Sequence, residues 1–121
     1  MGYSLLMDEG VTIYCPLPNF GEVDKDTGEV NSEYFIRRPS EWYGYHSRKR
    51  DEVIEKSNGA LGGGDLLKFA ISMALAEDWN LPGLPNNPER WDFDKVRLEV
   101  IVWVNQVIYN DLMRCYVIPK N

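Results

Sequence analysis

The chain has 121 residues, 44% of them hydrophobic and 26% charged, with four Trp, seven Tyr and four Phe, which suits one domain with a real core and argues against wholesale disorder. Its formal net charge of −6 disfavours a general nucleic-acid binder, which needs a basic surface, while permitting a basic partner. Two cysteines far apart, Cys15 and Cys115, read as reduced thiols, no run approaches the roughly 18 apolar residues of a membrane span, and MGYSLLMDEG has no basic start of a signal peptide, so a cytoplasmic protein is expected.

Residues 11–17, VTIYCPL, carry the β-branched and aromatic types of a strand and stop at prolines. In GEVDKDTGEV, residues 21–30, DKDTG lies between two Glu-Val pairs as a turn lies between short arms. A second extended run, Tyr34 to Ile36, halts before Pro39. Residues 1–38 are therefore expected to form a small β hairpin or arm. Beyond Pro39, Ser40 is placed to cap a helix beginning near Glu41, and RKRDEVIEK, residues 48–56, continues it as a polar helix. SNGALGGG, residues 57–64, is a loop by composition.

Asp65 occupies an N-cap position before a stripe of Leu66, Phe69, Ala70, Met73 and Ala74 at helical spacing, and Pro82 ends that helix by about Leu81. In WNLPGLPNNPERW, residues 79–91, Pro82 and Pro85 stop one helix and Pro88 can start the next, so the connector reads as a rigid elbow with Trp79 and Trp91 packed at the two helix ends. The segment 91–118 supports two readings. Val96, Leu98, Val100, Val102 and Val104 alternate as in a strand, whereas Val96, Val100, Trp103, Val104, Val107 and Ile108 make a helical face. About 20 residues without a turn signal is long for a strand, so length favours a helix, with Asp92 or Asp94 as its cap. The expected fold is a single α+β domain over residues 1–121, helix-dominated. Residues 1–38 form the β arm, 39–64 a basic-aromatic segment and Gly-rich loop, and 65–121 an antiparallel helix pair joined by the Pro-rich elbow.

Motifs that would carry chemistry fall short of their spacing. DKDTGE, residues 24–29, alternates Asp24 and Asp26 before a glycine, but that glycine comes fifth from Asp24 and the twelfth residue is Phe35, so it reads as a turn rather than a calcium loop. GALGGGD lacks the Lys and Ser or Thr of a phosphate-binding loop and places Asp65 where phosphate would sit. The single histidine, His46, has no cysteine near it in sequence, and a triad with Ser47 or Ser72 would have to assemble in space without a nucleophile-elbow pattern. RRPSEWYGYHSRKR, residues 37–50, sets five cations against one acid and interleaves Trp42, Tyr43 and Tyr45. Such a pattern suits base stacking in a single-strand binder, or else complements the protein's own acidic surface or an acidic partner, and the acidic remainder of the chain favours the latter.

LLKFAISMALAEDWNLPGLPNNPERWDFDKVRLEVIVWVNQVIYNDLMRCYVIPKN resembles the C-terminal half of phage tail assembly chaperones. The shared features are a helix ending in a tryptophan, a short proline-bearing connector and a final helix closing in Pro-Lys-Asn. YFIRRPSE, residues 34–41, resembles the arginine-proline segment that precedes the helices in some of them, while the arm bearing DKDTGE departs from the pattern. The resemblance covers about residues 34 to 121 and rests on hydrophobic and turn residues. It implies a non-enzymatic viral protein of the host cytoplasm, absent from the mature virion. Such a protein binds the tape-measure protein and keeps it soluble while tail-tube protein assembles around it, without catalytic residues, cofactor or metal. Self-association is open, and the alternative is a small acidic phage protein that inhibits a host nucleic-acid-binding machine. The residues expected to touch a partner are Arg37, Arg38, Trp42, Leu81 and Leu84, the two leucines as exposed connector positions, and Met113 as an adaptable apolar contact.

Overall fold

The computed structural model describes residues 11–18, 21–28, 30–57 and 63–117. The fold is α+β. Strands β1 (Thr12–Pro16), β4 (Phe35–Pro39) and β5 (Asp78–Trp79) form an antiparallel sheet in the order β1-β4-β5, and β2 (Gly21–Val23) pairs with β3 (Val30–Ser32) as a separate hairpin. The hairpin turn is the expected one at DKDTG. Asp24 Oδ1 accepts the amides of Asp26 and Thr27, Gly28 donates to the Asp24 carbonyl, and Gly28 takes φ 74°, a conformation glycine reaches without a Cβ penalty. Strand β4 runs through Pro39, beyond the expected stop at Ile36, and Ser40 donates to the Val11 carbonyl instead of capping a helix.

Helix α1 spans Gly44–Ser57 and α2 spans Gly64–Leu75. The start of α2 differs from the expected cap. Gly63 is the N-cap at φ 86°, and Asp65 lies inside the first turn, where its carboxylate favours the positive end of the helix dipole without a capping hydrogen bond. Phe69, Ala70, Ile71, Ser72, Met73 and Leu75 are all buried, so α2 is enclosed on nearly every side, with Ser72 its one buried polar residue. A helix with that pattern belongs at the centre of a fold, and α2 packs against α1 on one side and the C-terminal helix on another.

Helix α2 ends at Leu75, not near Leu81. Ala76 turns extended, the Glu77 amide donates to the Arg37 carbonyl, and Trp79 pairs with Ile36 as a strand residue. The unpaired edge of β4 competes for these backbone groups and wins. Asn80 completes the pairing by accepting the Phe35 amide at 2.8 Å and donating to the Glu33 carbonyl at 2.7 Å.

The connector is stiff, as the prolines imply, but built differently from a bend between helix ends. In LPGL, Pro82 precedes Gly83 at φ 78° and the Leu84 amide donates to the Leu81 carbonyl, the geometry of a type II turn. Pro88 opens a 3-10 turn (Pro88–Arg90) capped by Asn87, and a second 3-10 turn follows at Phe93–Lys95. Trp79 Nε1 donates to the Leu84 carbonyl at 2.6 Å and Trp91 Nε1 to the Pro85 carbonyl at 2.8 Å, so both tryptophans brace the loop.

The C-terminal segment is helical, as length suggested, but begins at Leu98 with Arg97 as its N-cap instead of Asp92 or Asp94. It comprises α3 (Leu98–Val104), a π-helical turn (Asn105–Tyr109), α4 (Asn110–Met113) and a closing 3-10 turn (Arg114–Tyr116). It buries Ile101 and, at every fourth position, Val104, Ile108 and Leu112. An uninterrupted α-helix would rotate that row by about 40° at each step. One widened turn, in which the Asn110 amide bonds the Asn105 carbonyl, absorbs the drift and keeps the row on α2. Ser72 Oγ donates to Asn105 Oδ1 at 3.3 Å across that contact.

Candidate functional site

The inner face of the sheet meets the C-terminal helix at Asp111. Side chains alternate along β4, so Ile36 and Arg38 face inward while Phe35 and Arg37 face outward. Arg38 Nη1 reaches Asp111 Oδ2 at 3.3 Å and also donates to the Pro39 carbonyl at 3.0 Å, which fixes its guanidinium. Trp42 Nε1 donates to the same carboxylate oxygen at 2.6 Å, and Arg114 Nε approaches the other at 3.5 Å. Burial pushes the Asp111 pKa up, but the hydrogen bonds from Trp42 and Arg114 and the charges of both arginines outweigh it and hold the carboxyl below its ordinary 3.8. Cys15, half-buried in the same cleft, has its thiol pKa raised by burial, with Arg38 pulling against it.

Beside this junction lies an enclosed histidine. Tyr43 is the N-cap of α1, and the His46 imidazole accepts the Tyr43 amide on Nδ1 at 3.0 Å while the His46 amide donates to the Tyr43 carbonyl. The ring thus takes the role that Glu or Gln plays at the third helical position of a capping box. Because Nδ1 accepts a hydrogen bond, the neutral ring carries its proton on Nε2. That atom is buried without a partner, and Glu77 Oε1 lies 3.9 Å away, already accepting the Tyr45 hydroxyl. Trp42, Tyr43 and Tyr45 surround the imidazole, with Tyr45 at a centroid distance of 3.9 Å, leaving it 1% exposed. Burial lowers its pKa from the ordinary 6.5 and nearby Lys49 adds to the shift, while Glu77 opposes it. The ring is not paired with a serine nucleophile: Ser72 is committed to Asn105, and Ser47 accepts from Arg50 Nη2 at 3.1 Å.

The outer flank of the C-terminal helix is open. Leu98, Val102, Gln106, Asn110 and Arg114 recur every four residues and are all exposed, Leu98 to 73% and Val102 to 45%. With Pro18 and the half-buried Trp103, Leu98 and Val102 line an apolar groove of about 680 Å³. Gln106 joins this to the cleft of about 480 Å³ over Cys15, Arg38, Asp111 and Arg114. The two make one surface, apolar at the start of the helix and charged at its end.

The residues expected to meet a partner divide accordingly. Arg38 and Trp42 converge on Asp111. Arg37 lies on the opposite face of the sheet, its guanidinium 5.4 Å from the ring centres of both Tyr14 and Phe35. Met113 is half-buried against the core. Leu81 and Leu84 are core residues at 5% and 1% exposure, not partner contacts, because the type II turn between them folds both side chains inward. Leu98, Val102 and Asp111 join this surface without being among the residues the sequence points to. Leu98 and Val102 fell on the strand reading of their segment, and a solvent-facing apolar pair has no distinctive signal. For Asp111 a signal existed: it is a carboxylate flanking the buried Leu112 on a helix that also buries Ile108, and such a group requires a cation or donor. The basic segment 37–50 supplied both, and also ties α1 to the C-terminal turn, where Arg50 donates to and stacks on Tyr116. Among the described residues no group of three His, Cys, Asp or Glu side chains is placed to hold a metal ion, and no helix is long and apolar enough to cross a membrane.

Removing the Asp111 carboxylate is expected to strip Trp42 and Arg38 of their shared acceptor. Asp111→Ala should cost about 1–3 kcal/mol in denaturant unfolding, and Asp111→Asn, which keeps an acceptor for the indole, distinctly less. Equal losses in the two variants would contradict that assignment.

Compared with protein-family models, curated proteins and solved structures, the chain matches none.

Proposed function

We propose that this chain is a viral tail assembly chaperone of a long-tailed phage. In this reading it acts in the host cytoplasm by binding the tape-measure protein, keeps it soluble while the tail-tube protein assembles around it, performs no catalysis and is left out of the mature virion. The observation that supports the reading is the solvent-exposed pair Leu98 and Val102 on a helix whose opposite side is anchored in the core. An exposed apolar groove on a rigid helix is what a protein needs to hold another apolar helix out of water. The formal charge of −6 serves the same task by keeping the loaded complex dispersed.

Co-expression with a tape-measure protein should rescue the latter's solubility and yield a complex that survives purification. The double variant Leu98→Asp/Val102→Asp should lose that complex by a factor of ten or more, since each apolar contact of this size is worth about 1.5–3 kcal/mol. Both positions are exposed, so the variant should melt as the wild type does. No rescue by the wild type, together with salt-sensitive capture of a basic nucleic-acid-binding protein, would favour the acidic-inhibitor reading instead.

A further inference from the structure

The groove on the C-terminal helix is charge-patterned as well as apolar, and, granting the chaperone reading of that surface, the pattern names what its partner carries. At the apolar end the charges cancel, since Arg97 Nη1 and Glu99 Oε1 pair at 3.0 Å beside Leu98. At the other end they do not. Arg38 and Arg114 share the single carboxylate of Asp111, leaving one net positive charge in the cleft of a chain whose formal charge is −6. Glu41 stands near Arg114 without lining the cleft. Arg38 is nearly enclosed and is held by its bond to the Pro39 carbonyl, so it contributes a fixed field. Arg114 is 58% exposed and approaches Asp111 through Nε, with Asn110 and Gln106 exposed beside it as further polar contacts. Two guanidiniums sharing one carboxylate at the end of an apolar groove, the outer one engaged only through Nε, leave donors for a second carboxylate.

We infer that the groove takes an amphipathic helix of the partner protein that presents two apolar residues four apart to Leu98 and Val102, and a Glu or Asp about three turns away to Arg114. Along the C-terminal helix, Val102 and Arg114 are separated by roughly 18 Å, so the carboxylate falls about twelve residues from the apolar pair on a helix lying alongside. The apolar pair supplies most of the affinity, and the carboxylate sets the register at which the partner helix is gripped.

The test uses the full chain and synthetic helical peptides carrying Leu at two positions four apart and Glu about twelve residues to either side, each with a Glu→Gln counterpart. Binding is followed by Trp103 fluorescence and calorimetry. The acidic peptide in one of the two polarities is expected to bind at least fivefold tighter than its Gln counterpart, with the difference shrinking in high salt. Arg114→Gln should abolish the difference while leaving the affinity for the Gln peptide unchanged, and Leu98→Asp should abolish binding of both. If the wild type binds Glu and Gln peptides equally, or Arg114→Gln keeps the preference, the carboxylate site is wrong while the apolar groove stands. If no peptide binds, the groove reading falls and this inference falls with it.

Discussion

Phe69→Ala is expected to lower the unfolding free energy by about 3–5 kcal/mol, a large part of the total of about 5–15 kcal/mol typical of a small domain. Phe69 is fully buried in the middle of α2, and its ring meets Trp91 and Phe93 edge to face at centroid distances of 5.5 and 5.3 Å. Those two aromatics come from the connector and its second 3-10 turn, elements too short to hold their shape alone. The truncation therefore removes the post against which the connector is stacked as well as opening a cavity. Chemical denaturation followed by tryptophan fluorescence reads both effects, since Trp91 sits on the ring that is lost. Phe69→Leu should fall between the two, because a branched aliphatic fills part of the volume. A loss below about 1 kcal/mol for the alanine variant would mean that the aromatic cluster does not anchor the connector.

The extent to which this fold is legible from residue order depends on the range of the interactions involved. The DKDTG turn, the strand at 12–16 and the apolar stripe of α2 are local patterns, and each forms where its residues place it. Length correctly separates helix from strand over the C-terminal segment although its β-branched run favours the strand. What local pattern does not carry is competition from elsewhere. Residues 76–79 continue a helical sequence, yet the edge of β4 recruits them as β5. Asp65 and Ser40 are good caps placed where the backbone has other partners, and the α1 cap falls to Tyr43 with a histidine in the reciprocal role. Leu81 and Leu84 show the same limit at the candidate site. A proline-rich connector suggests exposure, but a type II turn buries both residues that flank Pro82 and Gly83. Of the basic segment, Arg38 and Trp42 are legible as a pair with a task, while their acceptor lies about seventy residues away and only the tertiary fold brings it to them.

Acidification from pH 7.5 to 5 is expected to destabilise the protein through His46. Its imidazole is neutral in the fold, with Nδ1 accepting the Tyr43 amide and Nε2 enclosed, and burial first, then Lys49, hold its pKa below the ordinary 6.5 against the pull of Glu77. The unfolded chain therefore binds a proton that the folded chain refuses. Stability contributed by the neutral ring is fully present above about pH 6.5 and is lost as pH falls below it, until the folded-state group itself titrates. One proton gives a slope of about 1.4 kcal/mol per pH unit in that window. The chain has a single histidine, so no second imidazole confuses the profile, and the Asp111 carboxylate, whose pKa lies below 3.8, contributes only in more acid solution. Protonation must also break the cap, because an Nδ1–H faces the Tyr43 amide donor to donor, so the first turn of α1 should open before the core does. Denaturant midpoints measured between pH 8 and 5 check the slope, and amide exchange at Tyr43 and His46 checks where opening begins. His46→Gln supplies the control, since glutamine can accept the same amide and does not titrate. It should cost stability at pH 7.5 through lost ring contacts, yet make the profile nearly flat between pH 7 and 5. A wild-type profile already flat in that range, or a slope that survives in His46→Gln, would remove the histidine cap as the origin of acid sensitivity.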